Sequence, residues 1–520
     1  MEWSARSHLQ ACPGEGIWKE RPFRMNRRDV LAGASAALLQ TAFASLESLA
    51  AVQPRARGLH STCNVLAFGA VGDGSTKDTQ AIQRAVDACG RRGGGRVILP
   101  TGYTFLSGTV SLRNNVDLHL ESGATLLASP DRDDFRHLGA LLIAERADGI
   151  TVSGSGVIDG NFHAFLKDRD PGGYRVVAPF LGPYDPLYDA SQRNPPDGRP
   201  RMILLVGARG ARLVDFTIRN SPTWTVHALG CEDLRIANLT VRNDLAVPNC
   251  DCLDIDHCRK VRIENCDLQA GDDCIVLKTS RNFGQFGPCE NVAVSNCLLQ
   301  SSSAAIKVEP EGAQTIRQVT MTGCTVEKSN RGIAILNRDG ALIEDLVFSN
   351  MAITTELKPA MWWGAGEPIQ VSNLPRSTTV GPGTVRDIQF SNMVCKGENG
   401  IYLRGWPASR LQNITLDDID LTLEKTSPIQ GGYYDLRPGD VAGAVLPHTI
   451  AGIFCEQAMD LTLRGINLHW QGAIPEYYGP ALEAHDVDGL AVQNFVGTSA
   501  HPDRDAKEIL QNVTPRSPGL

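Results

Sequence analysis

Two acidic clusters stand close together between Asn249 and Lys278. They are Asn249-Cys250-Asp251 and Gly271-Asp272-Asp273. Each runs into a short apolar stretch, Leu253-Asp254-Ile255 after the first and Ile275-Val276-Leu277 after the second. Overlaying the stretches puts Asp251 on Asp273, Cys252 on Cys274 and Leu253 on Ile275, an offset of 22 residues. That is too long for a hairpin partner and suits one turn of a coil that returns to the same column. Parallel strands in neighbouring coils lie ~4.8 Å apart. Asp251, Asp272 and Asp273 are therefore expected to share one patch of surface. Like charges that close raise one another's pKa, so such a cluster is expected either to do acid/base chemistry or to bind a cation.

The elements that must hold these residues are legible as repeats. Segments such as CEDLRIANLTVRN, CRKVRIENCDLQA, CENVAVSNCLLQS and IRQVTMTGCTVEK alternate apolar and polar residues, turn at Asn or Gly, and resume. Their first apolar positions, Leu234, Val261, Val292, Val319 and Leu346, step by 27, 31, 27 and 27. A second column, Val226, Leu253, Ile275, Ile306, Ile333, Ile369 and Ile401, steps by 27, 22, 31, 27, 36 and 32. Period-two strands recurring at this spacing without intervening helices predict an all-β, single-stranded parallel β-helix. Asn238, Asn265, Asn296, Asn350 and Asn392 fall at equivalent turns, where side-chain amides can stack. Cys266, Cys297 and Cys324 share an apolar column with Leu239, Met351 and Met393 and are expected in the core. The cysteines between Cys250 and Cys274 lack paired CxxC hooks, which argues against zinc.

The register also lists what faces outward. Two positions before the second column stand Trp224, Asp251, Asp273, Ala304, Arg331, Glu367 and Asn399. One position after it come His227, Asp254, Val276, Lys307, Ala334, Gln370 and Tyr402; three after it come Asp256, Lys278, Glu309, Leu336 and Arg404. Rings, acids and cations in a line make a saccharide groove. Trp224, His227, Asn249, Lys307, Arg331, Glu367, Tyr402 and Arg404 are the candidate substrate-binding residues, with Asp251, Asp272 and Asp273 as catalytic candidates. The plain alternative is a solvated face, and for a lone histidine such as His227, packing is the better reading. Two carboxyls flanking a glycosidic bond can hydrolyse it, one protonating the leaving oxygen and another activating water.

The remaining stretches set the boundaries. Residues 1–24 read as an upstream extension. Residues 25–50, with Arg27-Arg28 before a short apolar run, read as a Tat-type export signal, which predicts a periplasmic or secreted protein. Residues 60–500 are read as the β-helix domain, opened by a helix that Asp78-Thr79 can cap and that presents Ala81, Ile82, Ala85, Val86 and Cys89 on one face. The insertion at 162–201, rich in Pro, Gly and Tyr, is expected to lie over a cleft, and 356–380 is a second candidate wall. Residues 501–520 read as a polar tail. A net charge of −8 without a basic run argues against nucleic acid. After signal cleavage no stable membrane insertion is expected, and the protein is expected to act as a monomer.

At these residues the chain resembles glycoside hydrolase family 28, the polygalacturonase family. The marks are FGAVGDGSTKDTQAIQRAV, SPTWTVHALGCEDLRIANLTVRN, Asn249-Cys250-Asp251 where the family has Asn-Thr-Asp, and Gly271-Asp272-Asp273-Cys274. The resemblance implies a right-handed parallel β-helix and inverting hydrolysis of a pectic glycan without metal or other cofactor. It makes Asp272 the general acid and has Asp251 and Asp273 position and activate water. Two family motifs are missing. The Gly-His-Gly histidine would fall near Ala304, and Arg-Ile-Lys at Ala334-Ile335-Leu336. Their loss points to a different pectic linkage, with Lys307, Arg331 or Arg404 replacing the lost cations, and the 162–201 insertion points to exo action. A polysaccharide lyase, which commonly uses Ca²⁺, and a non-catalytic carbohydrate-binding or adhesin solenoid are the competing readings, with an epimerase a further one.

Overall fold

The computed structural model describes residues 61–516 apart from 137–138, 171–172, 176–198, 360–361 and 438–442. Short strands follow one another in parallel register, each hydrogen-bonded to the equivalent strand of the coil before and the coil after. This is the parallel β-helix read from the repeats.

Both columns hold. Leu234 pairs with Val261, Val261 with Val292, Val292 with Val319 and Val319 with Leu346. The strands that carry the outward residues of interest are β1 (Val226–Leu229), β2 (Leu253–Asp256), β3 (Ile275–Lys278), β4 (Ala304–Val308), β5 (Arg331–Asn337), β6 (Glu367–Asn373) and β7 (Ile401–Arg404). Along them Val226, Leu253, Ile275, Ile306, Ile333 and Ile369 are paired in series and point into the core, fully buried. The same pairing puts His227, Asp254, Val276, Lys307, Ala334, Gln370 and Tyr402 in one outward line. An antiparallel hairpin, β8 (Tyr433–Asp435) and β9 (Val445–Pro447), stands outside the coils. The chain then rejoins the stack in β10 (Ile453–Gln471), which pairs with β7.

The five turn asparagines all adopt the left-handed conformation, with φ between 52° and 56°. Asparagine tolerates this region better than other side-chain-bearing residues, because its amide bonds locally. Asn392 Nδ2 donates to Asn350 Oδ1 at 2.6 Å, one step of the expected amide stack. The cysteines of the ladder are buried free thiols.

Two expectations need correction. The helix α1 (Thr79–Arg91) forms and buries Ala81, Ile82, Ala85, Val86 and Cys89, but Asp78 does not cap it through its side chain. Its carboxylate instead accepts the Val71 and Gly72 N–H groups at 2.7 and 2.9 Å, tying down the loop before the helix. Nor is the segment after residue 500 only a tail, since Glu508–Pro515 pairs in parallel with Leu482–Val496 and adds a further strand. The 162–201 insertion begins with a 3₁₀ turn, Phe162–Ala164, followed by a two-stranded hairpin, Lys167–Asp170 with Gly173–Arg175. Most of the rest, including Tyr184 and Tyr188, lies outside the described residues, as does the whole of 1–60. Among the described residues no helix is long and apolar enough to cross a membrane.

Side chains of one column touch across coils. Phe348 and Phe390 stack with centroids 5.2 Å apart and planes at 12°, both fully buried. Phe390→Ala removes that contact and leaves a cavity, and it is expected to destabilise the fold by about 3–5 kcal/mol. A fall in the denaturant midpoint checks this; an unchanged midpoint contradicts the column packing.

Candidate active site

A short coil step builds the acid centre. Between Leu253 and Ile275 the chain closes a turn in 22 residues, so Asp251 and Asp273 sit on adjacent coils. The Cys252 N–H donates to the Asp273 carbonyl at 2.9 Å. Gly271 makes the tight return possible. A Cβ there would lie 2.2 Å from the Val247 carbonyl oxygen and 2.6 Å from that of Asp244. The Gly271 N–H donates to Cys250 Sγ at 3.1 Å, which locks the two clusters together.

The three predicted catalytic carboxylates meet. Asp251, Asp272 and Asp273 each present an oxygen within 4.8 Å of the others. Asp251 and Asp273 are buried, whereas Asp272 is only half-buried. Asp273 accepts on both oxygens, from the Ala304 N–H at 2.9 Å and from Lys307 Nζ at 2.9 Å. Asp272 accepts the Asn249 N–H at 3.1 Å. Asp251 Oδ1 is buried without a hydrogen-bond partner among the described residues. Burial, with repulsion from Asp254, Asp272 and Asp273 behind it, pushes Asp251 well above the usual carboxylate range. Burial and then Asp273 push Asp272 up to about 7, opposed by Lys307 and the Asn249 N–H. At neutral pH the cluster therefore retains a proton, the condition for a general acid.

Lys307 sits at the centre of this balance. Its ammonium bridges Asp273 at 2.9 Å and Glu309 at 3.0 Å. Glu309 is in turn held by Arg376 at 3.2 Å and Arg338 at 3.7 Å. Expected as a binder of substrate, Lys307 is instead committed to the acid centre.

The other candidates divide. Asn249, at φ 57°, aims its N–H at Asp272, while its side-chain oxygen accepts from Arg199 at 3.2 Å. Arg199 also bonds the Pro222 and Pro248 carbonyls, both at 2.9 Å, and so braces the loop. Trp224 lies beside the acids with Lys278 Nζ 4.3 Å from its ring centroid. His227 is edge-on to Trp224 at 4.9 Å and bonds Asp256 at 3.3 Å. Burial pushes His227 down to about 4, so it is a neutral packed histidine.

Arg331, Glu367 and Tyr402 are not presented to a groove. Arg331 is buried between Glu367 at 3.6 Å and Asp435 at 3.9 Å, and donates to the Asp435 carbonyl at 2.6 Å. Tyr402 packs on Tyr434 and Phe454, with centroids at 4.4 and 5.2 Å. The physical reason is the β8–β9 hairpin, which supplies Tyr434 and Asp435 and covers the outward face here. Arg404 pairs with Glu456 at 2.8 Å.

Three groups were missed as site residues. Asp254, fully buried beside Lys278 at 3.7 Å, is pushed by burial up to about 8. Its outward column position was the available signal. Glu309 stands in the outward column three positions after Ile306, which was its only signal. Trp363, half-buried, has its ring centroid 5.5 Å from Lys307 Nζ, and only the 356–380 wall pointed to it.

The raised carboxyl gives a stability test. In the unfolded chain Asp272 ionises near its ordinary value, whereas in the fold it holds its proton up to about 7. Its contribution to stability is therefore intact at low pH and lost as pH rises from about 4 through about 7. Relative to wild type, Asp272→Asn is expected to melt at a higher temperature at pH 8, with the difference closing near pH 4. A difference that stays constant with pH contradicts the raised value.

The family model for glycosyl hydrolases family 28 matches residues 89–431. The chain is 23% identical to an endo-polygalacturonase of Pectobacterium carotovorum over 409 residues, covering 75% of this chain and 93% of that protein. To an exopolygalacturonase of Zea mays it is 21% identical over 394 residues, covering 72% and 87%. The solved family 28 exopolygalacturonase of Yersinia enterocolitica superposes with a TM-score of 0.60 at 18% identity, over 84% of this chain and 78% of that one. With a β-helix of matching architecture, an acid centre at the expected motifs and a family model spanning most of the chain, this protein belongs to glycosyl hydrolases family 28 and is a glycosidase.

Proposed function

We propose that the chain hydrolyses a pectic polysaccharide from a chain end, with inversion and without a metal. The observation that carries the acid/base reading is the unequal treatment of three adjacent carboxylates. Asp272 is the half-exposed one, and its carboxyl is pushed up to about 7, so it donates the proton to the leaving oxygen. Asp273 is fixed by two donors, and together with Asp251 it holds and activates the water. The named relatives are polygalacturonases, which supports a pectic substrate. Such polymers lie outside a bacterial cell, which agrees with the export signal expected at Arg27-Arg28.

The nearest oxygens of the three carboxyls are closer than the carboxyl spacing usual for either stereochemical course. Inverting pairs stand about 6.5–9.5 Å apart and retaining pairs about 5–5.5 Å. Here all three oxygens lie within 4.8 Å. A third carboxylate changes the geometry, because water can be held by Asp251 and Asp273 beside the acid rather than between acid and base. The anomer formed first, read by NMR at early times, decides the matter. Inversion is expected, and retention overturns the assignment.

End-on action is supported by the hairpin that covers the outward face at Arg331 and Tyr402. At low conversion the expected pattern is short product with little loss of polymer viscosity; a rapid viscosity fall contradicts it. Asp272→Asn should lower kcat by roughly a thousandfold. Lys307 holds the Asp272 pKa down. Lys307→Met is therefore expected to move the alkaline limb of the pH profile upward, besides lowering kcat; an unmoved limb contradicts the coupling.

The close oxygens also favour a second reading, a cation-assisted lyase. Its product absorbs in the ultraviolet and its activity falls with a chelator. The hydrolase gives new reducing ends without absorbance and is indifferent to the chelator.

A further inference from the structure

The charge around the acid centre constrains the sugar that enters it. Among the described residues six carboxylates, Asp251, Asp254, Asp272, Asp273, Glu309 and Glu311, gather around Lys278 and Lys307, and Arg338 and Arg376 are taken by Glu309. Both lysines are engaged by acids. Lys307 lies between Asp273 and Glu309, and Lys278 lies between Asp254 at 3.7 Å and Glu311 at 3.1 Å. Further along the same face Arg331 is held by Glu367 and Asp435, and Arg404 by Glu456. Arg201 stacks over Trp224 at 5.2 Å.

Of the outward positions of β4 and β5 that flank Lys307, Ala304, Ala334 and Leu336 carry no donor side chain, and Arg331 is taken by Glu367 and Asp435. Ala304, Ala334 and Leu336 pack there as one small apolar cluster. The single donor of Ala304, its N–H, already serves Asp273. A free carboxylate on the reacting sugar would add another negative charge beside the triad, in a site largely shielded from water, where like charges repel strongly. An uncharged substituent meets no such penalty, and a methyl group gains by leaving water.

We propose that the sugar whose glycosidic bond is cleaved carries no free carboxylate at C6, being a 6-deoxy sugar or a methyl-esterified uronate. This rests on the hydrolytic reading above and names the substrate class of that same site. Other parts of the polymer remain free to be acidic, since the constraint acts only where the triad does.

The test uses the wild-type protein and oligosaccharides of equal length, labelled at the reducing end. They differ only in the terminal residue that is transferred, which is rhamnose, methyl galacturonate or free galacturonate. Hydrolysis of at least one uncharged terminus is expected, with kcat/KM about 100-fold or more above that of the free acid, and the two uncharged arms separate the deoxy sugar from the ester. A free-acid substrate cleaved as fast as either uncharged one overturns this inference and leaves the hydrolase standing. Failure to cleave any of the three, or any longer pectic polymer, overturns both.

Discussion

Every feature of this protein depends on hydrogen bonds that run from each coil to the next, because they fix the rise of the solenoid. Parallel strands settle about 4.8 Å apart, and a residue that repeats in register meets its equivalent at that distance whatever its chemistry. For Val226, Leu253 and Ile275 the result is a continuous core. For Asp251 and Asp273 the result is two carboxylates held together by the main chain, against their own repulsion. The fold does not relax that repulsion by moving the side chains apart. It supplies donors instead, and leaves part of the charge uncompensated as a retained proton.

The donors are few and local. Lys307 and the Ala304 N–H serve one acid, and the Asn249 N–H serves another. Lys307 is itself set by Glu309, and Glu309 by Arg338 and Arg376. A chain of alternating charges thus runs from the acid centre along the outer face. Buried alternation of this kind costs desolvation for every member, and removing one partner leaves another charge unpaired. The site is consequently a network property, although its chemistry is concentrated in three residues.

Much of this was legible in the sequence because register is a one-dimensional property. The core columns, the turn asparagines, the buried thiols and the meeting of Asp251, Asp272 and Asp273 all follow from counting along the chain. What counting cannot see is what a loop or hairpin lays over a column. Arg331, Glu367 and Tyr402 stood at the right positions for a groove, yet the β8–β9 hairpin, some hundred residues beyond Arg331, covers them. Asp78 looked like a helix cap but turned to the Val71-Gly72 backbone. Glu309 and Arg199 matter through partners far away in sequence, Arg376 and Pro248 among them. The missing cations at Ala304, Ala334 and Leu336 were visible at once; their packing into one apolar cluster was not.

The position of the short coil within the stack has a bearing on motion. A solenoid contacts only its neighbours, so it opens most readily where a coil has a neighbour on one side only. The Asp251–Asp273 step has paired coils on both sides, running to Val110 in one direction and to Glu508 in the other. Fraying from either end must pass through several coils before it loosens the acids. The carboxylates that repel one another most are thus lodged where local opening is slowest, and their spacing persists through the breathing of the molecule's ends.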